Sequence, residues 1–92
     1  MRSRLSPYAF ALLRFLEEEG GAVNLRHPAT RTLLPMSDER LLGALRDCWG
    51  RGYVTRTRDR RWCVTPAGVE AANAAVDDWL DYGAVTLVEP EE

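Results

Sequence analysis

The chain has 92 residues, of which 46% are hydrophobic and 28% are charged. These proportions are typical of a soluble globular domain, and they exclude wholesale disorder and collagen-like architecture. No apolar run approaches the roughly 20 residues that cross a bilayer, and no signal-peptide pattern opens the chain. We therefore expect a cytoplasmic protein with no membrane contact, folded as one domain over residues 1–92 with flexible ends at 1–5 and 89–92.

The charge is distributed unevenly along the chain. All twelve basic residues are Arg and lie within residues 1–61, where seven acids leave a net charge of +5, whereas residues 62–92 carry seven acids and no base. A guanidinium binds phosphate through two parallel hydrogen bonds, so a dense Arg cluster favours a phosphate-containing partner. An ordinary solvated hairpin in an Arg-rich protein is the alternative interpretation. The densest basic segment contains Arg51, Arg56, Arg58, Arg60 and Arg61.

The first predicted helix follows Ser6, a favourable N-cap, and has Pro7 at its first position. Apolar residues then recur at helical spacing until Gly20 and Gly21 end the helix. The predicted apolar stripe consists of Tyr8, Ala9, Leu12, Leu13, Phe15 and Leu16.

A short second helix is predicted over residues 28–34, because Pro28 can open a helix and Pro35 limits it to about two turns. We expect Leu33 and Leu34 to face the core, and His27 to flank the start of this helix. Residues 22–25, which precede it, form either a brief strand or a simple connection.

The third predicted helix has Ser37 as its N-cap, with Asp38 and Glu39 in the first turn, where acids are favoured. Its apolar residues fall at i, i+4, i+7 and i+8, and residues 50–52 end it. We expect this stripe, Trp49 included, to lie in the core. The stripe consists of Leu41, Leu45, Cys48 and Trp49, widened by Leu42.

Residues 53–57 and 61–65 are β-rich and flank a polar break, which predicts a hairpin. Trp62 either covers the core from the hairpin or stands exposed beside the Arg cluster, where it would suit stacking on a base or on a partner side chain, and we favour the core. A last helix begins at Pro66 and ends near Gly83, and residues 84–88 are a candidate final strand. Its predicted apolar stripe consists of Val69, Ala72, Val76, Trp79 and Leu80.

This order predicts a mainly α fold with a small β-hairpin, in the α+β class. Three helices, a hairpin and a last helix resemble the three-helix core, wing and C-terminal helix of a winged helix-turn-helix. Residues 52–56 read G-Y-V-T-R, similar to the R-G-Y/L-V-x-R segment of winged-helix regulators. Residues 65–68 read T-P-A-G, similar to the L-T-P-A-G of MarR and PadR-like regulators, with Val64 in place of the usual Leu. The resemblance covers residues 6–82.

The resemblance implies a small transcriptional regulator that binds double-stranded DNA. Its third helix would enter the major groove, and its hairpin, the wing, would lie along the backbone. Thr30 and Arg31 would be further backbone contacts. The candidate DNA-binding residues are Arg40 and Arg46 on the third helix and Arg56, Arg58, Arg60 and Arg61 on the hairpin.

Two features favour a different function, a winged helix that binds protein as an adaptor, a subunit or an inhibitor of a nucleoprotein machine. The third helix carries two Arg against three acids, and the C-terminal third of the chain is acidic. The long dimerisation helices of MarR regulators are also absent, so a homodimer would form through the first and last helices or through residues 84–88.

Catalysis and metal binding have no support in the sequence. His27 is the only histidine, the glycine pairs are helix stops, and Asp77 and Asp78 diverge because they are adjacent on a helix. We therefore expect no enzyme, no cofactor and no metal. Cys48 and Cys63 have no metal-binding spacing, and we expect them to be reduced, small buried hydrophobic residues.

Overall fold

A computed structural model of the chain describes residues 5–81, with side chains described as far as Val76. The elements are α1 (Pro7–Glu19), α2 (Pro28–Leu33), α3 (Asp38–Gly50), β1 (Val54–Arg56), β2 (Trp62–Val64) and α4 (Pro66–Asp81). The fold is therefore mainly helical with one antiparallel hairpin, which confirms the predicted α+β class. Outside the described part lie the predicted stop at Gly83, the strand over 84–88, the end at 89–92 and the core roles of Trp79 and Leu80.

The first three helices begin at side-chain caps. Ser6 Oγ and Ser37 Oγ each accept a hydrogen bond from the N–H three residues later, at 3.1 and 3.2 Å. His27 caps α2, because its Nδ1 accepts from the N–H of Ala29 at 3.1 Å. Gly20 ends α1 in the left-handed region, with φ of 74°, where glycine carries no steric penalty. These boundaries confirm the predicted helix starts and the first helix stop.

The hairpin is joined to the segment between α1 and α2. Trp62 pairs with Arg56 across the hairpin and also forms an isolated antiparallel bridge with Val23. In that bridge each residue donates its N–H to the other's carbonyl oxygen at 2.8 Å. Of the two possibilities for residues 22–25, the chain therefore adopts a strand-like pairing at one position.

The core of the described residues is built around α1. This helix buries five side chains, and Leu12 and Leu13 are fully inaccessible to solvent. The remaining elements pack around it with one or a few buried residues each, and Leu5 also contacts this core. The buried apolar residues are Ala9, Phe10, Leu12, Leu13, Leu16, Val23, Leu25, Leu34, Leu41, Ala44, Cys48, Val54, Trp62, Ala72 and Ala75.

Three apolar side chains that the sequence predicted to face the core are exposed instead. Leu33, Leu42 and Trp49 are 65%, 52% and 49% exposed. Leu33 is the last residue of α2, and the chain leaves the helix at Leu34, which is buried. In α3, successive residues lie about 100° apart, so Leu42 turns aside when Leu41 is buried. Trp49 lies at the edge of the stripe, where the hairpin covers only part of it. The burial of Trp62, at 8% exposed, confirms the favoured prediction for that residue.

The start of α4 is held tightly against the end of the α3–β1 turn. Thr65 Oγ1 donates to the carbonyl of Gly52 at 2.7 Å and accepts from the N–H of Gly68 at 3.1 Å. The Thr65 N–H also donates to the carbonyl of Tyr53 at 2.9 Å. A Cβ atom on Gly68 would overlap this Tyr53 oxygen and lie 2.7 Å from Val64 Cγ2. The T-P-A-G segment therefore needs a hydroxyl at its first position and no side chain at its last.

We predict that Gly68→Ala lowers the free energy of unfolding by about 1–3 kcal/mol, because the methyl group would force the backbone of α4 away from Tyr53. The matched control is Gly43→Ala in α3, where an added Cβ meets no atom within 4 Å. That change should raise stability by about 1 kcal/mol through helix propensity alone. Urea unfolding followed by circular dichroism measures both, and equal effects of the two substitutions would contradict the close approach.

Both cysteines are free, and their environments differ. Cys48 is fully buried, as predicted, whereas Cys63 is only half-buried. Burial, with a smaller contribution from the negative charge of Asp47, raises the pKa of the Cys48 thiol to about 12. The reactive thiolate form of Cys48 is therefore scarce in the folded protein at neutral pH.

We predict that a thiol reagent at neutral pH modifies Cys63 first, and that Cys48 reacts only as fast as the chain unfolds. Mass spectrometry of peptides from a labelling time course measures the two rates. Adding urea should bring them together, because unfolding exposes Cys48. Equal rates in the absence of urea would contradict the burial of Cys48.

Candidate functional site

The hairpin closes through a three-residue loop with a strained last position. Thr57 donates its N–H to the carbonyl of Arg61 at 2.8 Å, and Arg60 donates its N–H to the carbonyl of Thr57 at 3.1 Å. Arg60 has a φ of 66°, in the left-handed region that glycine normally fills in such loops. An L-residue there costs about 1–2 kcal/mol, and strain of this kind is often found at functional positions.

The tip of the hairpin, residues 58–61, exposes three cations and one anion. Arg58, Arg60 and Arg61 are all exposed. Asp59 Oδ2 lies 3.3 Å from Arg61 Nε, and the hydrogen bond from the Thr57 hydroxyl lowers the pKa of Asp59 below its usual value. Asp59 is therefore ionised at neutral pH, and residues 58–61 keep a net charge of +2.

Two tryptophans and one arginine form a cluster between the end of α3 and the base of the hairpin. The rings of Trp49 and Trp62 meet edge to face, with centroids 4.9 Å apart and an angle of 81° between their planes. Arg56 Cζ lies over both rings, 5.3 Å from the Trp49 centroid and 5.7 Å from that of Trp62. We call these three residues the tryptophan corner. It joins α3 to the hairpin in one continuous surface.

The two predicted arginines of α3 lie on different sides of the helix. Six residues separate them, which turns them about 120° apart around the helix axis. Arg46 is exposed, and it forms no ion pair with any residue in the described part of the chain. Arg40 lies over the ring of Tyr8 in α1, with its Cζ 4.5 Å from the ring centroid. The structure therefore brings Arg46, but not Arg40, to the outward face of α3.

Two of the three acids on α3 have arginine partners. Asp38 is ion-paired with Arg31 of α2, and Asp47 Oδ1 lies 2.9 Å from Arg51 Nε. Glu39 is exposed and forms no ion pair among the described residues. The negative charge of α3 is therefore largely compensated by neighbouring arginines, which the sequence count alone does not reveal.

Neither of the further residues expected to contact a DNA backbone is free on the surface. Thr30 is 9% exposed and belongs to the buried set, so that expectation was wrong. Arg31 is committed to the α2–α3 turn, because besides pairing with Asp38 its Nη2 donates to the carbonyl of Met36 at 2.8 Å. Arg31 therefore links α2 to the α2–α3 turn and to the start of α3.

The contacts of Trp49 with Trp62 and Arg56 were not predicted from the sequence. The place of Trp49 on an apolar stripe indicated burial, and the prediction considered a base-stacking role only for Trp62. The available signal was the position of Trp49 eight residues after Leu41, about 80° around the helix from that buried residue. The sequence did place Arg56 among the candidate site residues, although its contact with both indoles follows only from the fold.

Comparison with protein-family models, with curated proteins and with solved structures found no significant match to this chain. Between Leu5 and Asp81, no helix combines the length and apolar character needed to cross a bilayer. Between Leu5 and Val76, no three His, Cys, Asp or Glu side chains come together as a metal site.

We predict that Arg60→Gly stabilises the fold. Relief of the left-handed strain stabilises the folded state by about 1–2 kcal/mol, and the greater freedom of the unfolded chain offsets about 0.4–1 kcal/mol of this, which leaves a net gain between about 0 and 1.6 kcal/mol. Arg58→Gly is the matched control, because it removes the same charge from a position without positive φ, and it should be destabilising. Thermal unfolding measures both, and a lower melting temperature for Arg60→Gly would contradict the strain.

Proposed function

We propose that the chain is a winged helix-turn-helix domain that binds double-stranded DNA and acts as a small transcriptional regulator. The element order supports this assignment: a first helix, a strand-like bridge at Val23, two helices joined by a short turn, and a hairpin. The Arg31 contacts that fix the α2–α3 turn give α2 and α3 a defined relative orientation, as a helix-turn-helix requires.

The single observation that carries the proposal is the continuity of the basic surface. Arg46 precedes Trp49 by about one turn on α3, and Trp49 contacts Trp62 and Arg56. Arg56 ends β1, which leads into residues 58–61, here called the cationic loop. Arg46 on α3 and the cationic hairpin, held together in this way, match the groove and the flanking phosphates of a duplex.

The proposal gives these side chains separate roles. Arg46 contacts a base edge in the major groove, where a guanidinium suits guanine. Arg56, Arg58, Arg60 and Arg61 bind phosphates, and Arg60 is retained in a strained backbone because its cation contributes to binding. Arg40, held on Tyr8 at the side of α3, contacts a flanking phosphate. A homodimer through the first and last helices would present two such surfaces to a two-fold site.

A second candidate function, docking to a protein, is favoured by one specific observation. Leu42 and Trp49 are both about half exposed and lie seven residues apart, on the same side of α3. Exposed apolar side chains on one helix face are typical of a protein interface. This candidate predicts that the outward face of α3 binds a partner without help from the cationic loop.

We predict that the triple variant Arg58→Gln, Arg60→Gln and Arg61→Gln loses most of its affinity for random-sequence duplex DNA. Each phosphate contact removed should lower the slope of log affinity against log salt by about 0.9. The matched control is Ala67→Glu, Asn73→Asp and Ala74→Glu, because it shifts the net charge by the same amount at exposed positions of α4. Fluorescence anisotropy with labelled duplex measures affinity across a salt series.

The expected result is a shallower salt slope for the Arg variant and only a small, uniform loss for the control. Equal losses in the two variants would show that net charge, not the cationic loop, determines binding. If the unchanged protein fails to bind duplex at low salt, the proposal is wrong and the protein-docking candidate replaces it.

A further inference from the structure

Trp49 is held in a fixed orientation although about half of it is exposed. The edge-to-face contact with buried Trp62 and the guanidinium of Arg56 occupy part of its surface. The remaining 49% is open to solvent. Because the ring is already ordered by two neighbours, a ligand that packs on its open part loses little affinity to side-chain ordering.

Arg56 adds a cation next to this open ring. Its guanidinium lies over both indoles, and the residue itself is exposed. Within the described part of the chain it forms no ion pair, since Asp47 is paired with Arg51 and Asp59 with Arg61. A guanidinium that stacks on aromatic rings keeps its edge N–H groups available to a planar or tetrahedral anion.

We propose that the tryptophan corner binds an unpaired nucleotide, with its base stacked on Trp49 and its phosphate held by Arg56. This inference rests on the proposed DNA binding and narrows its substrate class. Bases inside a duplex are stacked on both faces, whereas bases in a single strand offer their faces to aromatic side chains. The preferred substrate is therefore duplex DNA with a single-stranded end, the duplex lying on α3 and the hairpin.

The surrounding charge favours a nucleotide over an apolar protein segment at this site. Residues 51–61 contain five Arg and one Asp, a net charge of +4. An exposed aromatic ring within such a cationic segment combines the two features that single-stranded nucleic acid requires, a stacking surface and a positive path for its backbone.

The test compares a blunt duplex with the same duplex carrying single-stranded thymidine extensions at both ends. Fluorescence anisotropy gives the affinity of each for the unchanged protein and for Trp49→Leu, which keeps an apolar side chain but removes the ring. Trp49→Phe retains an aromatic face and serves as the conservative variant. Leu42→Ala is the matched control, because it removes an equally exposed apolar group from the same side of α3.

We expect the unchanged protein to prefer the extended duplex by about tenfold, as one stacked base typically contributes. The preference, taken within each variant as the ratio of its affinities for the extended and the blunt duplex, should disappear in Trp49→Leu, persist in part in Trp49→Phe and be unaffected in Leu42→Ala. Equal binding of both duplexes by the unchanged protein, or a preference that survives in Trp49→Leu, overturns the inference and leaves the duplex-binding proposal standing. Failure to bind either duplex overturns both.

A measurement on the unchanged protein covers the case in which Trp49→Leu does not fold. Iodouracil placed in the single-stranded extension is irradiated in the complex, and the crosslinked peptide is identified by mass spectrometry. A crosslink to Trp49 supports the inference. A crosslink from the extension only to residues outside the tryptophan corner overturns it.

Discussion

The attachment of Trp62 is the constraint on which the candidate site depends. Its backbone bridges Val23 on one side and pairs with Arg56 on the other, so β2 lies between β1 and the segment that follows α1. Its side chain is buried among the residues that pack on α1 and also contacts Trp49 at the end of α3. Trp62 therefore holds the hairpin against both the core and α3, and this attachment determines where the cationic loop lies.

Local chemistry made most of the helix and hairpin boundaries predictable. Ser-Pro and Thr-Pro starts, the glycine stop after α1 and the β-rich runs around a polar break each act within a few residues, so the sequence is sufficient. Burial was harder to predict, because Leu33, Leu42 and Trp49 sit on apolar stripes but at their edges. Whether an edge residue is covered depends on the neighbouring element, and here the hairpin reaches only part of Trp49.

The candidate site was predictable as a set of arginines but not as an arrangement. The spacing of Asp47 and Arg51 is typical of an ion pair at the end of a helix, but sequence order cannot show that Arg31 pairs with Asp38 or that Arg40 turns toward Tyr8. These contacts leave Arg46 on α3 and the arginines of the hairpin as exposed cations in a domain whose net charge is −2. Gly68 lies where a side chain would overlap the backbone of Tyr53, so the position requires glycine. Arg60 has a positive φ, so glycine would be less strained there, but the position holds a cation.

We propose that the hairpin and α3 together form one surface that binds the phosphates of duplex DNA. The most direct test is the binding of the unchanged protein to random-sequence duplex, measured by fluorescence anisotropy as salt is raised from about 50 to 200 mM. At the lowest salt concentration we expect a dissociation constant that is roughly micromolar. Because several phosphates are contacted, log affinity should fall steeply and linearly as log salt concentration rises. Absence of binding at the lowest salt, or an affinity that salt does not change, would contradict the proposal.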